Sequence, residues 1–233
     1  MTTHSVLLVP GFWLGAWAWS QVEERLRELG VPATALTLPG LDPDDRDRTT
    51  CTPPDQAAAV LAALDGPSVV VAHSGANIAV TMAMDQRPDL IARVIWVDSG
   101  PVADGFRMNE DAPQDLVEFP LPDFDVLGAD ASLEGLNQDA LATFRERSVP
   151  EPGAVLTTPV ALSNDARYSV PTTLVCNSMS SQQITSLAEA GHPMTAELAK
   201  YADVCLVDLP TGHWPMWSRP QELAVIIATT LEN

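Results

Sequence analysis

Six short apolar runs punctuate the chain: SVLLV (5–9), ATALTL (33–38), SVVVA (68–72), RVIWV (93–97), TTLVC (172–176) and DVCLV (203–207). Each is continuous rather than alternating, which predicts strands buried on both faces. The segments between them have helical spacing. Leu14 to Leu29 places Trp17, Val22, Leu26 and Leu29 on one stripe and ends at Gly30. Gln56 to Leu64 is alanine-rich and stops before Gly66-Pro67, Asn77 to Gln86 ends before Pro88, and Gln221 to Leu231 forms a last helix. Strand and helix in alternation predict an α/β fold, a mainly parallel sheet with helices on both faces.

The alternation breaks once, between the fourth and fifth strands. Residues 100–169 include MNEDAPQDL and FPLPDFD, rich in Asp, Glu and Pro. A structureless loop of that length does not fit a compact domain. The segment also carries Phe106, Leu116, Phe119, Phe124 and Phe144, more aromatic content than disordered chain carries. It therefore reads as a small helical cap inserted between strands, with helices at Ser132–Gln138 and Asp139–Ser148. Residues 1–99 and 170–233 form the core.

Composition narrows the function. The 233 residues are 46% hydrophobic and 18% charged, as in an ordinary globular protein. The net charge of −19 repels phosphate backbones, so no nucleic-acid partner is expected. No apolar run approaches the ~20 residues of a membrane span, and the N-terminal stretch lacks the marks of a targeting segment. A cytoplasmic protein with a small-molecule substrate and no membrane partner is the expectation. Cys51, Cys176 and Cys205 form no CxxC or Cys/His cluster, so no metal is expected, and Cys176 and Cys205 read as buried small hydrophobes in strands.

The chemistry starts at VVVAHSGANIAV, residues 69–80, where a strand runs into a lone serine before a helix. In open α/β sheets ligands bind beyond the carboxyl ends of the strands. A serine lifted clear of the sheet there needs a sharp, strained turn whose flanking residues, two before and two after, are very small. Ala72 and Ala76 stand where glycine is usual and remain small enough. Gly75 adds an N–H at a helix N-terminus, where developing negative charge is stabilised. Ser74 is thus a nucleophile or an ordinary turn serine, and its surroundings decide between the two. In LLVPGFWLGAW, residues 7–17, Gly11 allows a close turn and the Phe12 amide can converge with that of Gly75 into an oxyanion hole. In DLPTGHWPMWSRPQEL, residues 208–223, His213 follows the last strand. His192 is a weaker base candidate; His4 is near the terminus and His73 lies inside the serine turn.

VPGFWLGAW, VAHSGA and TGHWPMW together resemble the α/β-hydrolase superfamily over nearly the whole chain, in the chain order serine, acid, histidine. The chain is most similar to small esterase-like members, the group of plant methylesterases and hydroxynitrile lyases, and to bacterial polyketide-tailoring esterases. The resemblance implies Ser74 as nucleophile, His213 as general base, and Phe12 and Gly75 as amide donors, with no cofactor. Pro10 replaces the usual histidine before the oxyanion glycine, while the donor amide belongs to Phe12.

The acid departs from the family pattern. After TTLVC, where relatives often carry it, the chain reads NSMSSQQ. Asp98, in RVIWVDSGP at the end of the preceding strand, can reach a histidine over the same rim and fix its tautomer, or can cap its own turn. Asp208 and a serine–histidine dyad are the alternatives. Trp13, Trp214 and Phe106 are candidate substrate contacts, with Phe119 and Phe124 as further roof, and imply a small apolar or aromatic substrate. A serine carboxylesterase working through an acyl-enzyme is the first reading. A cofactor-free lyase and a non-catalytic ligand-binding protein are the others. The plant lyases use a lysine under the cap and a threonine in the oxyanion turn, and here the cap has no lysine.

Overall fold

The apolar runs become the strands of one sheet. In the computed structural model, which describes residues 4–231, β1 (Val6–Val9) leads to α1 (Ser20–Glu28), β2 (Ala33–Ala35) to α2 (Pro53–Ala62), and β3 (Ser68–His73) to α3 (Asn77–Gln86), before β4 (Ile91–Val97). Residues 100–169 contain the ribbon of β5 (Glu118–Phe119) and β6 (Glu151–Pro152) with helices α4 (Phe124–Asp130), α5 (Gln138–Arg147) and α6 (Gly153–Thr157). The chain returns through β7 (Thr172–Cys176), α7 (Ser181–Glu189), α8 (Pro193–Ala196), β8 (Val204–Asp208), α9 (Pro215–Ser218) and α10 (Pro220–Thr230). Residues 1–3 and 232–233 of the expected core lie outside the described residues. Among the described residues, no helix is long and apolar enough to cross a membrane.

The sheet order is β2-β1-β3-β4-β7-β8, and all its pairings are parallel. The order reverses between β1 and β3, and at such a switch point the connections leave in opposite directions and open a crevice at the strands' carboxyl ends. The loops after β1 and β3 carry Phe12 and Ser74. Alternation along each strand then sorts the core. Val6 and Leu8 of β1 and Val69 and Val71 of β3 pack with Val22 and Leu26 of α1 and Leu223 and Ile227 of α10. Leu7, Val9, Val70 and Ala72 face the other way, onto Ala79, Val80 and Ala83 of α3 and Val60 of α2. Helices cover both faces, which is why the strands read as unbroken apolar runs.

The differences from the sequence reading have local causes. Helix α2 begins at Pro53 rather than Gln56 because Thr52 and Asp55 form a capping box that spans Pro53 and Pro54 in its first turn. The second strand stops at Ala35, three residues short, as an edge strand that turns away toward Gly40 at φ 88°. Cys205 is exposed, not buried, because β8 is the other edge of the sheet. The expected helix at Ser132–Gln138 is absent. Gly135 there takes φ 83°, and the Ser132 and Glu134 carbonyls accept the N–H groups of His213 (2.7 Å) and Gly212 (3.2 Å) instead of closing a helical turn. Helix α4 lies just before it, over FDVLGAD, a stretch whose acidity and internal glycine disguise the Phe124/Leu127 spacing.

The segment leading into β7 is tied to α3 by charge. Arg167 is buried and donates to Asp85 (3.2 Å) and Glu197 (3.4 Å), which are buried as well. Asp85 also accepts the Ser163 and Asn164 amides. Removing one member leaves uncompensated buried charge. Arg167→Met is expected to cost about 3–5 kcal/mol, read from the urea unfolding midpoint; a loss below ~1 kcal/mol, typical of a surface pair, would show that the network is solvated.

Candidate active site

Ser74 sits at the end of β3 with φ 50°, in the left-handed region that costs a non-glycine residue about 1–3 kcal/mol. Ala72 and Ala76, on either side, are wholly buried in the core, so the turn is paved with small side chains as its sharpness requires. Trp13 (φ 66°) and Asp98 (φ 47°) are the other non-glycine residues with positive φ among the described residues. All three strained positions follow the carboxyl ends of β1, β3 and β4. The loops are anchored to one another: Ser99 Oγ donates to the Ser74 carbonyl (2.9 Å), and Asn77 Nδ2 to that of Gly100 (3.2 Å).

These loops bring three side chains into one line. Ser74 Oγ lies 2.7 Å from His213 Nε2, and His213 Nδ1 lies 2.6 Å from Asp98 Oδ2. With Nδ1–H donating to the carboxylate, Nε2 is left to accept the serine proton. Burial works against the charge on Asp98. The bonds from His213 and from Ser178, whose amide (2.8 Å) and hydroxyl (2.6 Å) both donate to it, outweigh burial and hold its pKa below the ordinary value. Ser178 lies in the loop after β7, and its two bonds reach a carboxylate at the end of the neighbouring strand β4. Asp208, the alternative acid, is exposed and instead anchors the start of α7 through the Ser181 amide and hydroxyl (both 2.6 Å). His192 caps α8.

The histidine loop is pinned from both sides. His213 N–H donates to the Ser132 carbonyl, and His73 Nε2–H donates to the His213 carbonyl at 2.8 Å. Burial, reinforced by His213 alongside, pushes the His73 pKa down to about 3, so this imidazole stays neutral. A Cβ on Gly212 would come 2.5–2.6 Å from the Glu134 and Ser132 carbonyls, so glycine is required for the backbone of residues 132–134 to lie against this loop. His73 and Ser132 escaped the sequence reading because their contacts join residues 140 and 81 positions from them.

The turn after β1 meets the elbow at close range. A Cβ on Gly11 would stand 2.8 Å from Ser74 Cβ and 2.9 Å from the His73 ring, so this glycine makes room for the serine. The Phe12 ring covers Gly75, where a Cβ would clash at 2.5 Å. Phe12 and Gly75 therefore lie side by side, and the Gly75 amide belongs to a first helical turn, whose N–H groups have no intrahelical acceptor.

A cavity of about 810 Å³ opens against His213 and Asp98, with Val102, Phe106, Leu174, Met179, Ile184 and Met194 among its apolar walls. Phe106 is thus on the cavity wall. Trp13 and Trp214, the other expected substrate contacts, are not: Trp13 is turned into the core with Nε1 bonded to the Phe119 carbonyl (3.0 Å), and Trp214 is buried edge-on against the His213 ring at 4.9 Å. Both are drawn inward by Phe144, which reaches the core from α5. Phe119 and Phe124 pack on Trp13 and Phe144 and form no roof over this cavity. Among the described residues, no group of three or more His, Cys, Asp or Glu could hold a metal ion.

A parallel sheet with a strained serine elbow at its switch point, hydrogen-bonded to a histidine from the last loop, defines a class of α/β proteins rather than one protein. Residues 6–226 match the model of the alpha/beta hydrolase family, and the chain belongs to that family. It is 26% identical to Methylesterase 7 of Arabidopsis thaliana across 95% of this chain and 94% of that protein. Over shorter stretches it is 33% identical to Methylesterase 8 of the same plant (42% of this chain, 39% of that one) and 35% identical to esterase PIR7B of Oryza sativa subsp. japonica (39% and 37%). Among solved structures, a methylesterase from Arabidopsis aligns with a TM-score of 0.76 at 17% identity (98% of this chain, 99% of that one). An extracellular alpha/beta-hydrolase from a Paenibacillus species aligns at 0.74 and 18% (97% and 98%). Likeness at that level of identity speaks for the fold.

Ser178→Ala is expected to raise the Asp98 pKa toward the ordinary carboxylate range, because one of its donors disappears while the His213 bond remains. A carboxyl 13C titration of Asp98 measures it, and an unmoved pKa would mean that the Ser178 hydroxyl does not support the charge.

Proposed function

We propose that this protein is a serine esterase that hydrolyses carboxylic esters of small apolar or aromatic substrates through an acyl-enzyme. The observation that carries the reading is the continuous hydrogen-bonded line from Ser74 Oγ through His213 to Asp98, at 2.7 and 2.6 Å. Ser74 attacks the ester carbonyl as His213 Nε2 takes its proton, and Asp98 stabilises the imidazolium and keeps Nδ1 protonated. The carbonyl oxygen, gaining charge, is received by the Phe12 and Gly75 amides. His213 then protonates the departing alkoxide, and water repeats the sequence in reverse to free the acid and Ser74. Each step moves one proton between named atoms and needs no cofactor. Residues 100–169 serve as the cap, and the apolar cavity that includes Phe106 takes the organic part of the ester by shape. The esterase names of the relatives fit this reading. The absence of a carboxylate after β7 would favour a non-catalytic binding protein, and the 2.6 Å bond from His213 Nδ1 to Asp98 supports the catalytic reading against it.

Hydrolysis of a panel of methyl and aryl esters tests the assignment. Ser74→Ala is expected to lower kcat by roughly 10³–10⁶, and Asp98→Asn by on the order of 10⁴. Wild-type-like turnover in either variant would remove that residue from the mechanism.

A further inference from the structure

The cavity against His213 and Asp98 lies on one side of Ser74 only. In the sheet, β1 flanks β3 on one side, and β4, β7 and β8 lie on the other. The cavity belongs to the second side: it runs from His213 and Asp98 past Ser99 and Phe106 to Met179 and Ile184. Among the described residues, Gly11, Phe12, Ser74 and Gly75 are not in its walls. The first side is filled. A Cβ on Gly11 would stand 2.8 Å from Ser74 Cβ, and the Phe12 ring covers Gly75. That ring is packed in turn against the apolar cluster of Ile78, Val155 and Leu156.

In ester hydrolysis the attacked carbon carries three groups besides the serine oxygen: the oxyanion, the acyl chain and the leaving alkoxide. The leaving oxygen must reach His213 Nε2, the atom that returns the proton. The leaving group therefore lies on the histidine side, where the cavity opens. The acyl chain is directed away from it, toward the turn after β1, where Gly11 and Phe12 leave little room. Size and charge select further. At about 810 Å³ the cavity is in the upper part of the ~300–1,000 Å³ range that holds drug-sized ligands, whereas a methoxy group needs the room of about two waters, ~30 Å³ each. Its walls bring three carboxylates, Asp98, Asp130 and Glu197, against a single cation, Lys200. Lys200 Nζ is held by Glu197 Oε2 at 2.6 Å, so the wall offers an anionic group only a cation that is already paired.

We propose that this cavity is the leaving-group site, and that the preferred substrates are esters of a bulky, neutral, apolar alcohol with a short acyl group such as acetyl. The inference rests on the esterase reading and adds which half of the ester the cavity holds. In the net reaction one water splits the bond between the acyl carbon and the ester oxygen. The acyl carbon keeps the water oxygen and departs as a short acid, and the ester oxygen takes its proton from His213 and leaves as the alcohol held in the cavity.

The test compares two isomeric esters that carry a naphthyl group on opposite sides of the carbonyl, naphthylethyl acetate and methyl naphthylpropanoate. Both release an aliphatic alcohol, so their intrinsic reactivities are similar. The acetate is expected to have the higher kcat/KM, by about 10–100-fold. Narrowing the cavity with Ile184→Trp is expected to lower kcat/KM for the acetate at least about tenfold more than for the methyl ester, so that the preference collapses. Met179→Trp, from the same wall, takes its place if thermal unfolding shows that Ile184→Trp does not fold. A wild type that prefers the methyl ester or treats the two alike would overturn the proposal and leave the esterase reading intact. So would a folded tryptophan variant that slows the methyl ester more than the acetate. If neither of these variants folds, the comparison of the two isomers in the wild type decides. If the wild type hydrolyses neither isomer nor any other ester, the esterase reading fails and the leaving-group assignment falls with it.

Discussion

The rest of the site depends on the 2.6 Å hydrogen bond between His213 Nδ1–H and Asp98. It fixes which imidazole nitrogen is free to face Ser74, and it needs an ionised carboxylate at a place that is largely buried. Burial alone would raise the Asp98 pKa. The imidazole N–H, with the Ser178 hydroxyl and amide, outweighs that effect and holds the pKa below its ordinary value. Folding the loop after β4 to reach that position requires φ 47° at Asp98, and lifting the serine requires φ 50° at Ser74. The sheet supplies the rigidity against which such strain can be held.

Residues 100–169 take part in this restraint. Backbone carbonyls at Ser132 and Glu134 receive the histidine loop, and Val149 and Phe119 hold Trp13 through its carbonyl and its indole. Phe144 reaches from α5 into the core between Trp13 and Trp214. A segment that reads as a lid over the sheet is thus also a frame behind both the histidine and the turn after β1.

Most of the fold was legible in the sequence because its signals are local. Strands buried on both faces leave unbroken apolar runs, and TTLVC matches β7 residue for residue. The helix after the serine runs from Asn77 to Gln86 as its apolar content and Pro88 predict. Ser74, His213 and Asp98 could be singled out because each lies just past the carboxyl end of a strand, and the structure brings them into line. What was not legible depends on pairings distant in sequence. The expected helix at Ser132 gave way because His213 and Gly212, far along the chain, take the carbonyls that it would have used. Trp13 and Trp214 adjoin functional residues in sequence, but φ 66° at Trp13 and the pull of Phe144 turn them away from the cavity. Ser178 was passed over because a hydroxyl that supports a carboxylate has no pattern of its own.

The central claim is that Ser74 is an activated nucleophile facing a formed oxyanion site, and reaction with a fluorophosphonate tests it most directly. Intact mass after incubation, followed by peptide mapping, is expected to show one adduct, on Ser74, formed far more slowly in the Asp98→Asn variant. A folded protein that gains no adduct, or gains it elsewhere, would contradict the account: the 2.7 Å contact with His213 would then be a resting hydrogen bond without nucleophilic consequence.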